Sequence, residues 1–368
     1  MAPGKKNKIA RSIVLAYNRT REYKYWLRIC HAPYKSLYFS FDGTVHSCCV
    51  NRQYKLGKYP ENSLLDIWKG KQLKTLKRHI NRRDLSLGCQ ECKYYLENKN
   101  YDDLRAKFYD FPETNRRFPV FMEFELSNVC NLECMMCGGN FSSLIRKNRE
   151  NRPPLKMAYD DEFVDQLEHF LPHLKRAQFA GGEPFLINIY FRIWKRLIDL
   201  NPDCIIGVQS NGTVLNNRVK EILARGRFQL GFSIDSLKKE VYEKIRLNAS
   251  FEETMRNLDW YASYGLSKNI HNHITVCPMR INWMEMPDLV RFCNEKQFYI
   301  RYNFVWQPEQ YALWNLPHKT LSEIYNFLSE SSFSGSGSVF DENIRYYGNF
   351  LKQVDSWHRD ALNKDQHG

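Results

Sequence analysis

The chain has 368 residues, 43% of them hydrophobic and 14% aromatic. That is enough apolar surface for a packed core, which excludes wholesale disorder, and the length fits two domains. No apolar run approaches the ~18 residues of a membrane span, and Ile13–Tyr17 is too short for a signal-peptide core. A cytoplasmic protein with reduced thiols is expected, so clustered cysteines point to metal rather than disulfides. Lys plus Arg number 54 against 41 Asp plus Glu, a net charge of +13. Residues 1–83 hold nineteen basic and four acidic side chains, so the surplus is N-terminal. A basic face of this kind suits nucleic acid or another polyanion, or is simply a solvated face.

In chain order, residues 1–24 read as a basic arm. Residues 25–95 form a small cysteine-containing unit. It opens with Cys30 and Pro33, continues through a hairpin turning at Asp42–Gly43, and reaches the pair Cys48–Cys49. The segment LLDIW then starts a helix, and Cys89 and Cys92 close the unit. Residues 96–117 are polar, contain Pro112, and read as a linker. From 118 to 308 the pattern alternates. Strands are expected at Val120–Leu126, Arg176–Ala180, Cys204–Gln209, Gln229–Ile234, His273–Cys277 and Ile300–Trp306. Helices are expected between them at Glu162–Leu171, Ile189–Leu200, Arg218–Ala224, Glu252–Tyr264 and Met284–Glu295. Six strands alternating with helices predict an α/β fold, a partial (β/α)6 TIM-like barrel. Its chemistry belongs at the C-terminal ends of the strands. Residues 309–368 read as a helical C-terminal extension, with Ser331–Ser338 as a flexible loop. Cys204, Cys277 and Cys293 sit in apolar surroundings and read as core.

The first barrel strand runs into SNVCNLECMMCGGN, placing Cys130, Cys134 and Cys137 at C-x3-C-x2-C spacing. Three thiolates can hold three irons of a [4Fe–4S] cluster and leave the fourth iron open. A structural zinc site wants four ligands, and no fourth Cys or His lies nearby. Here the sequence resembles the radical S-adenosylmethionine (SAM) enzymes. Downstream segments appear in that family's order: Gly181–Gly182–Glu183–Pro184 after the second strand, Ser210–Asn211–Gly212 after the third, and Ser233 with Asp235 after the fourth, followed by Arg246. The resemblance implies that Gly181, Gly182 and Glu183 meet the amino group of SAM and that Ser233 and Arg246 lie near its carboxylate. It also implies a SAM contact for Asn211 and adenine packing for Met136, where relatives often have an aromatic residue. Asn282 stands at a strand end where polar residues often face an active site.

Residues 30–92 resemble the auxiliary-cluster modules called SPASM and twitch domains, which normally follow the barrel rather than precede it. Cys30, Cys48, Cys89 and Cys92 supply four thiolates, enough for a fully ligated second [4Fe–4S] cluster. Neighbouring side chains on a strand alternate, so Cys49 is the alternative to Cys48, and zinc is the alternative to iron–sulfur. The resemblance implies a radical SAM enzyme with SAM and two [4Fe–4S] clusters as cofactors. Its partners would be a one-electron donor such as ferredoxin or flavodoxin and an unidentified peptide, sugar or nucleotide-like substrate. Net oxidation or crosslinking is the expected outcome. A non-catalytic, zinc- or cluster-stabilised RNA-binding protein would explain the basic N-terminus but not the glycine-rich loop.

Overall fold

The structure, a computed structural model, describes residues 8–23, 28–102, 104–115 and 117–367. One nine-stranded sheet runs in the order β3-β2-β1-β4-β5-β6-β7-β8-β9. Strands β4 (Phe121–Glu125), β5 (Arg176–Phe179), β6 (Ile205–Ser210), β7 (Arg227–Ser233), β8 (His273–Val276) and β9 (Tyr299–Tyr302) are all parallel. They are the six expected barrel strands, and each junction between consecutive ones carries at least one helix. The outer face of this sheet is apolar: Met122, Phe124, Ala177, Phe179, Ile206, Val208, Leu230, Phe232, Ile274 and Ile300 enter the main core beneath the helices. Apart from Phe121 at the start of β4, the side chains at the alternate positions include the polar Glu123, Glu125, Gln178, Gln209, Ser233, His273 and Thr275. Period-two alternation thus gives the open barrel a polar concave face.

That face is hydrogen-bonded across strands. Gln209 Nε2 donates to Ser233 Oγ at 3.0 Å, and Gln209 Oε1 lies 3.3 Å from both His273 Nε2 and Thr275 Oγ1. Gly231 makes room for this crossing, since a Cβ there would stand 2.3 Å from His273 Nε2.

The N-terminal unit joins the same sheet. Strands β1 (Ser36–Ser40) and β2 (Thr44–His46) form the expected hairpin, with Gly43 at φ 84, and β3 (Gly57–Lys58) pairs on its outer side. β1 pairs in parallel with β4, from Ser36 opposite Phe121 to Ser40 opposite Glu125. The cysteine unit is therefore built onto the edge of the barrel sheet. The helix Leu64–Lys69 begins where LLDIW predicts, capped by the Ser63 side chain.

Two expectations change. Residues 8–23 are not a loose arm: Arg11–Thr20 is a helix that buries Val14 and Tyr17, and Arg21 pairs with Asp110 at 2.5 Å. The remainder of that basic arm, residues 1–7 and 24, lies outside the described residues. The segment 96–117 is not a spacer, because Leu104, Ala106 and Tyr109 are buried. Asp110 compensates the otherwise costly buried guanidinium of Arg21 and so fastens the two segments together. The C-terminal extension is helical, ending in the long helix Ser338–His367.

Candidate cysteine sites and their surroundings

Cys130, Cys134 and Cys137 lie on the loop leaving β4, at the C-terminal end of the sheet. Two neighbours hold this loop. Glu133 N donates to Leu247 O at 3.0 Å and Met135 N to Ile245 O at 2.9 Å. These paired bonds set Cys134 opposite Arg246, whose Nη1 lies 3.7 Å from Cys134 Sγ. Nη2 of the same guanidinium pairs at 2.7 Å with the fully buried Asp235, while its Nε is buried without a partner. Asp235 is itself fixed by Cys277 N at 2.7 Å.

The second neighbour is the glycine-rich loop. Gly182 N donates to Ser127 O at 3.0 Å and Glu183 N to Val129 O at 2.7 Å. A Cβ on Gly182 would stand 2.1 Å from Val129 O, and one on Gly181, at φ +122, 2.5 Å from Ser127 O. The glycines therefore allow this loop to approach the cysteine loop closely. Glu183 is wholly buried. Its carboxylate accepts from Phe185 N at 3.1 Å, Ser210 Oγ at 2.9 Å and Asn211 N at 2.7 Å. Burial raises its pKa to about 7 against those hydrogen bonds. Asn211 Nδ2 in turn donates to Asn131 Oδ1 at 2.9 Å, and Asn131 Nδ2 to Thr213 Oγ1 at 2.9 Å. The three strand-end loops thus form one hydrogen-bonded unit around the cysteines.

Other expected residues divide. Met136 packs beside Ile245, Cys277, Met279 and Val305. Ser233 lies on the concave face, bonded to Gln209. Asn282 is turned inward: Nδ2 donates to Asp235 O and Cys277 O, and Oδ1 accepts from Met279 N. It shapes the loop after β8, so the expectation that it faces an active site is not met. Cys204 and Cys293 are core, as expected, whereas buried Cys277 adjoins Asp235 and Met136.

The second site lies at the other end of the sheet. Cys30, Cys48, Cys89 and Cys92 line one cavity, with Ile29, Ala32 and Pro33 on one wall and Arg105 and Tyr109 on another. Cys49 is not among its lining residues; both cysteines lie in the bend after β2, which ends at His46, so the cavity rather than strand alternation favours Cys48. Phe121, at the start of β4, packs with Cys48, Ala32 and Tyr109. Two hydrogen bonds reach the thiol sulfurs: Ala32 N to Cys30 Sγ at 3.4 Å and Asn51 Nδ2 to Cys89 Sγ at 3.4 Å. Arg105 and Tyr109 converge on Glu123, at 2.6 Å and 2.5 Å, and the Nε of Arg105 is buried without a partner. Arg105 and Glu123 escape sequence reading because they come from a segment read as linker and from a strand read only as the first of the barrel.

The donor chemistry of both sites fits iron–sulfur ligation. Burial raises the Cys130 thiol to about 12 and the Cys137 thiol to about 11, and pushes up all four cavity thiols. These thiols stay protonated at neutral pH unless a metal takes the proton's place. Among the described residues, no three His, Cys, Asp or Glu side chains stand close enough to hold a single metal ion.

Family models match both regions. The radical SAM superfamily model covers residues 124–293, and an iron–sulfur cluster-binding domain model, SPASM, covers residues 30–93. The GTP 3′,8-cyclase of Aliarcobacter butzleri is 22% identical over 185 residues, half of this chain and 54% of that protein. The same enzyme from Nautilia profundicola is 26% identical over 183 residues, half of this chain and 55% of that protein. The chain spans about half the length of the curated relatives it matches. Among solved structures, anSMEcpe with bound AdoMet aligns at TM-score 0.44 and 18% identity, covering 57% of this chain and 58% of that one. Streptococcus suis SuiB bound to S-adenosylmethionine aligns at 0.43 and 14%, covering 72% and 59%. No helix among the described residues is long and apolar enough to cross a membrane. Residues 124–293 thus match the radical SAM superfamily, and the iron–sulfur cluster-binding SPASM domain matched at residues 30–93 lies on the N-terminal side of that region.

Proposed function

We propose that the protein is a radical SAM enzyme carrying two [4Fe–4S] clusters and acting on a substrate held against the polar concave face. The observation that carries this reading is the three-cysteine loop at the C-terminal end of β4, clasped by the Gly181–Gly182 loop through two backbone hydrogen bonds. Cys130, Cys134 and Cys137 would hold the first cluster. With SAM bound, that cluster supplies reductive cleavage to a 5′-deoxyadenosyl radical able to abstract hydrogen from a C–H bond. Arg246 offers a donor beside Cys134, and Glu183 orders the Asn211 loop over the site. Gln209, Ser233, Thr275 and His273 present a fixed polar surface on which a substrate can be oriented.

Cys30, Cys48, Cys89 and Cys92 would hold the auxiliary cluster. Four thiols around a cavity suit a polynuclear cluster better than one zinc ion. A fully ligated cluster at that end favours net oxidation or crosslinking of the substrate. A one-electron donor of the ferredoxin or flavodoxin type would supply reducing equivalents. The substrates of the cyclases matched above do not carry over on a match to half their length. The experiment is anaerobic reconstitution. About eight irons per chain and release of 5′-deoxyadenosine on reduction with SAM are expected. Bound zinc without SAM cleavage would support the RNA-binding alternative instead.

A further inference from the structure

We infer that a basic cleft at the N-terminal edge of β1 and β4 binds a small polyphosphate-bearing molecule. The cleft lies at the opposite end of the sheet from Cys130, so its ligand is not the substrate of the radical chemistry. It measures about 680 Å³ and is lined by Arg28, Lys35, Lys69, Lys77 and Arg117, with no carboxylate in its wall. Among the described residues, none of Arg28, Lys69, Lys77 or Arg117 has an acidic partner. Lys35 is not counted among these cations: its Nζ donates to Phe111 O, and Asp110 and Glu113 act on its charge.

The cations are held in place rather than dispersed. The Arg28 guanidinium lies 4.1 Å above the Tyr34 ring, and Lys77 Nζ lies 4.9 Å from the centre of Trp68. Tyr34 Oη donates to Asn81 Oδ1 at 2.8 Å, and Trp68 Nε1 to Arg117 O at 2.7 Å. Two aromatic side chains, each anchored by a hydrogen bond, thus fix cations around one concavity. Burial, followed by Arg28 and Lys74, holds the Lys77 ammonium below its usual value. An anion in the cleft would relieve that strain between like charges. Guanidinium forks and ammonium groups together are the donor set for phosphate oxygens. The volume is that of a small-molecule site, ~300–1,000 Å³, which favours a compact polyphosphate over a nucleic-acid strand.

The test is calorimetric titration of the cluster-loaded full chain with pyrophosphate, with a single-stranded RNA oligomer as the second probe. Saturable pyrophosphate binding is expected. The triple variant Lys69→Gln/Lys77→Gln/Arg117→Gln should weaken it by about tenfold or more. The control Lys195→Gln/Lys352→Gln, which removes two exposed charges elsewhere, should leave it unchanged. The single variant Lys69→Gln, at an exposed position, should give a smaller loss in the same direction and guards against misfolding of the triple variant. Absence of saturable binding, or equal weakening in the control, overturns the inference. RNA binding tighter than pyrophosphate and lost in the triple variant would assign the cleft to nucleic acid and overturn it equally.

Discussion

Arg105 pairs with Glu123 at 2.6 Å, and through this pair the wall of the four-thiol cavity meets the concave face of the barrel. Glu123 shares its face of β4 with Phe121, which packs on Cys48, while the opposite end of the strand leads to Cys130. The five-residue strand is about 13 Å long at ~3.3 Å per residue. The two cysteine sites therefore flank the barrel interior from opposite ends.

Arg105 brings a positive charge and an unpartnered donor to the cavity, and both stabilise a reduced cluster more than an oxidised one. Arg105→Gln should lower the midpoint potential of the auxiliary cluster by about 60 mV, the one-electron equivalent of ~1.4 kcal/mol. Arg105→Lys should lower it less. A redox titration followed by electron paramagnetic resonance reads this directly. Unchanged potentials in a variant with full iron content would remove Arg105 from this role.

The two cysteine sets should separate on substitution. Cys134→Ala should abolish 5′-deoxyadenosine formation. Cys89→Ala should lose about half the iron yet retain uncoupled SAM cleavage. Equal loss of cleavage in both variants would show that the auxiliary site serves electron entry or structure rather than substrate oxidation. Iron analysis and chromatography of the nucleoside product distinguish the cases.

Two glycines of one neighbourhood should behave oppositely. Gly182→Ala drives a methyl group into the Val129 carbonyl at 2.1 Å, where backbone must move. About 1–3 kcal/mol of stability should be lost, along with the hydrogen bond from Glu183 N. At Gly138 an added Cβ meets nothing closer than Glu150 Oε1 at 3.7 Å. Gly138→Ala should cost less than about 0.5 kcal/mol. Thermal unfolding of both variants, compared with the parent chain, provides the measurement.

His273 sets an acid limit on stability. Burial, then Arg301 and Arg176, lowers its pKa to about 3. The folded state binds fewer protons than the unfolded state between that value and the ordinary 6.5. Stability contributed by the neutral imidazole is therefore present above pH 6.5 and lost as pH falls toward 3. The loss should be on the order of 5 kcal/mol across that window. His273→Gln, which cannot gain a proton there, should flatten the difference between urea unfolding at pH 4 and pH 7. A parallel pH dependence in parent and variant would place the titration elsewhere.

The sequence by itself determined the strand and helix order of the barrel, the hairpin turning at Asp42–Gly43 and the spacing of the Cys130, Cys134 and Cys137 loop, while leaving Cys48 and Cys49 as alternatives in the N-terminal unit. These rest on local signals: alternation, turn residues, caps and short spacings that survive any arrangement in space. Tertiary structure alone decided the rest. Nothing in a linear pattern shows that β1 pairs with β4, because strand partners are chosen by long-range packing. The same pairing turned a polar stretch read as linker into a cavity wall, since Tyr109 and Arg105 find their partner on a strand fourteen and eighteen residues away. The N-terminal charge followed the same rule. Part of it, Arg21, is buried against Asp110, and part gathers around one cleft, a distribution that composition sums but cannot locate.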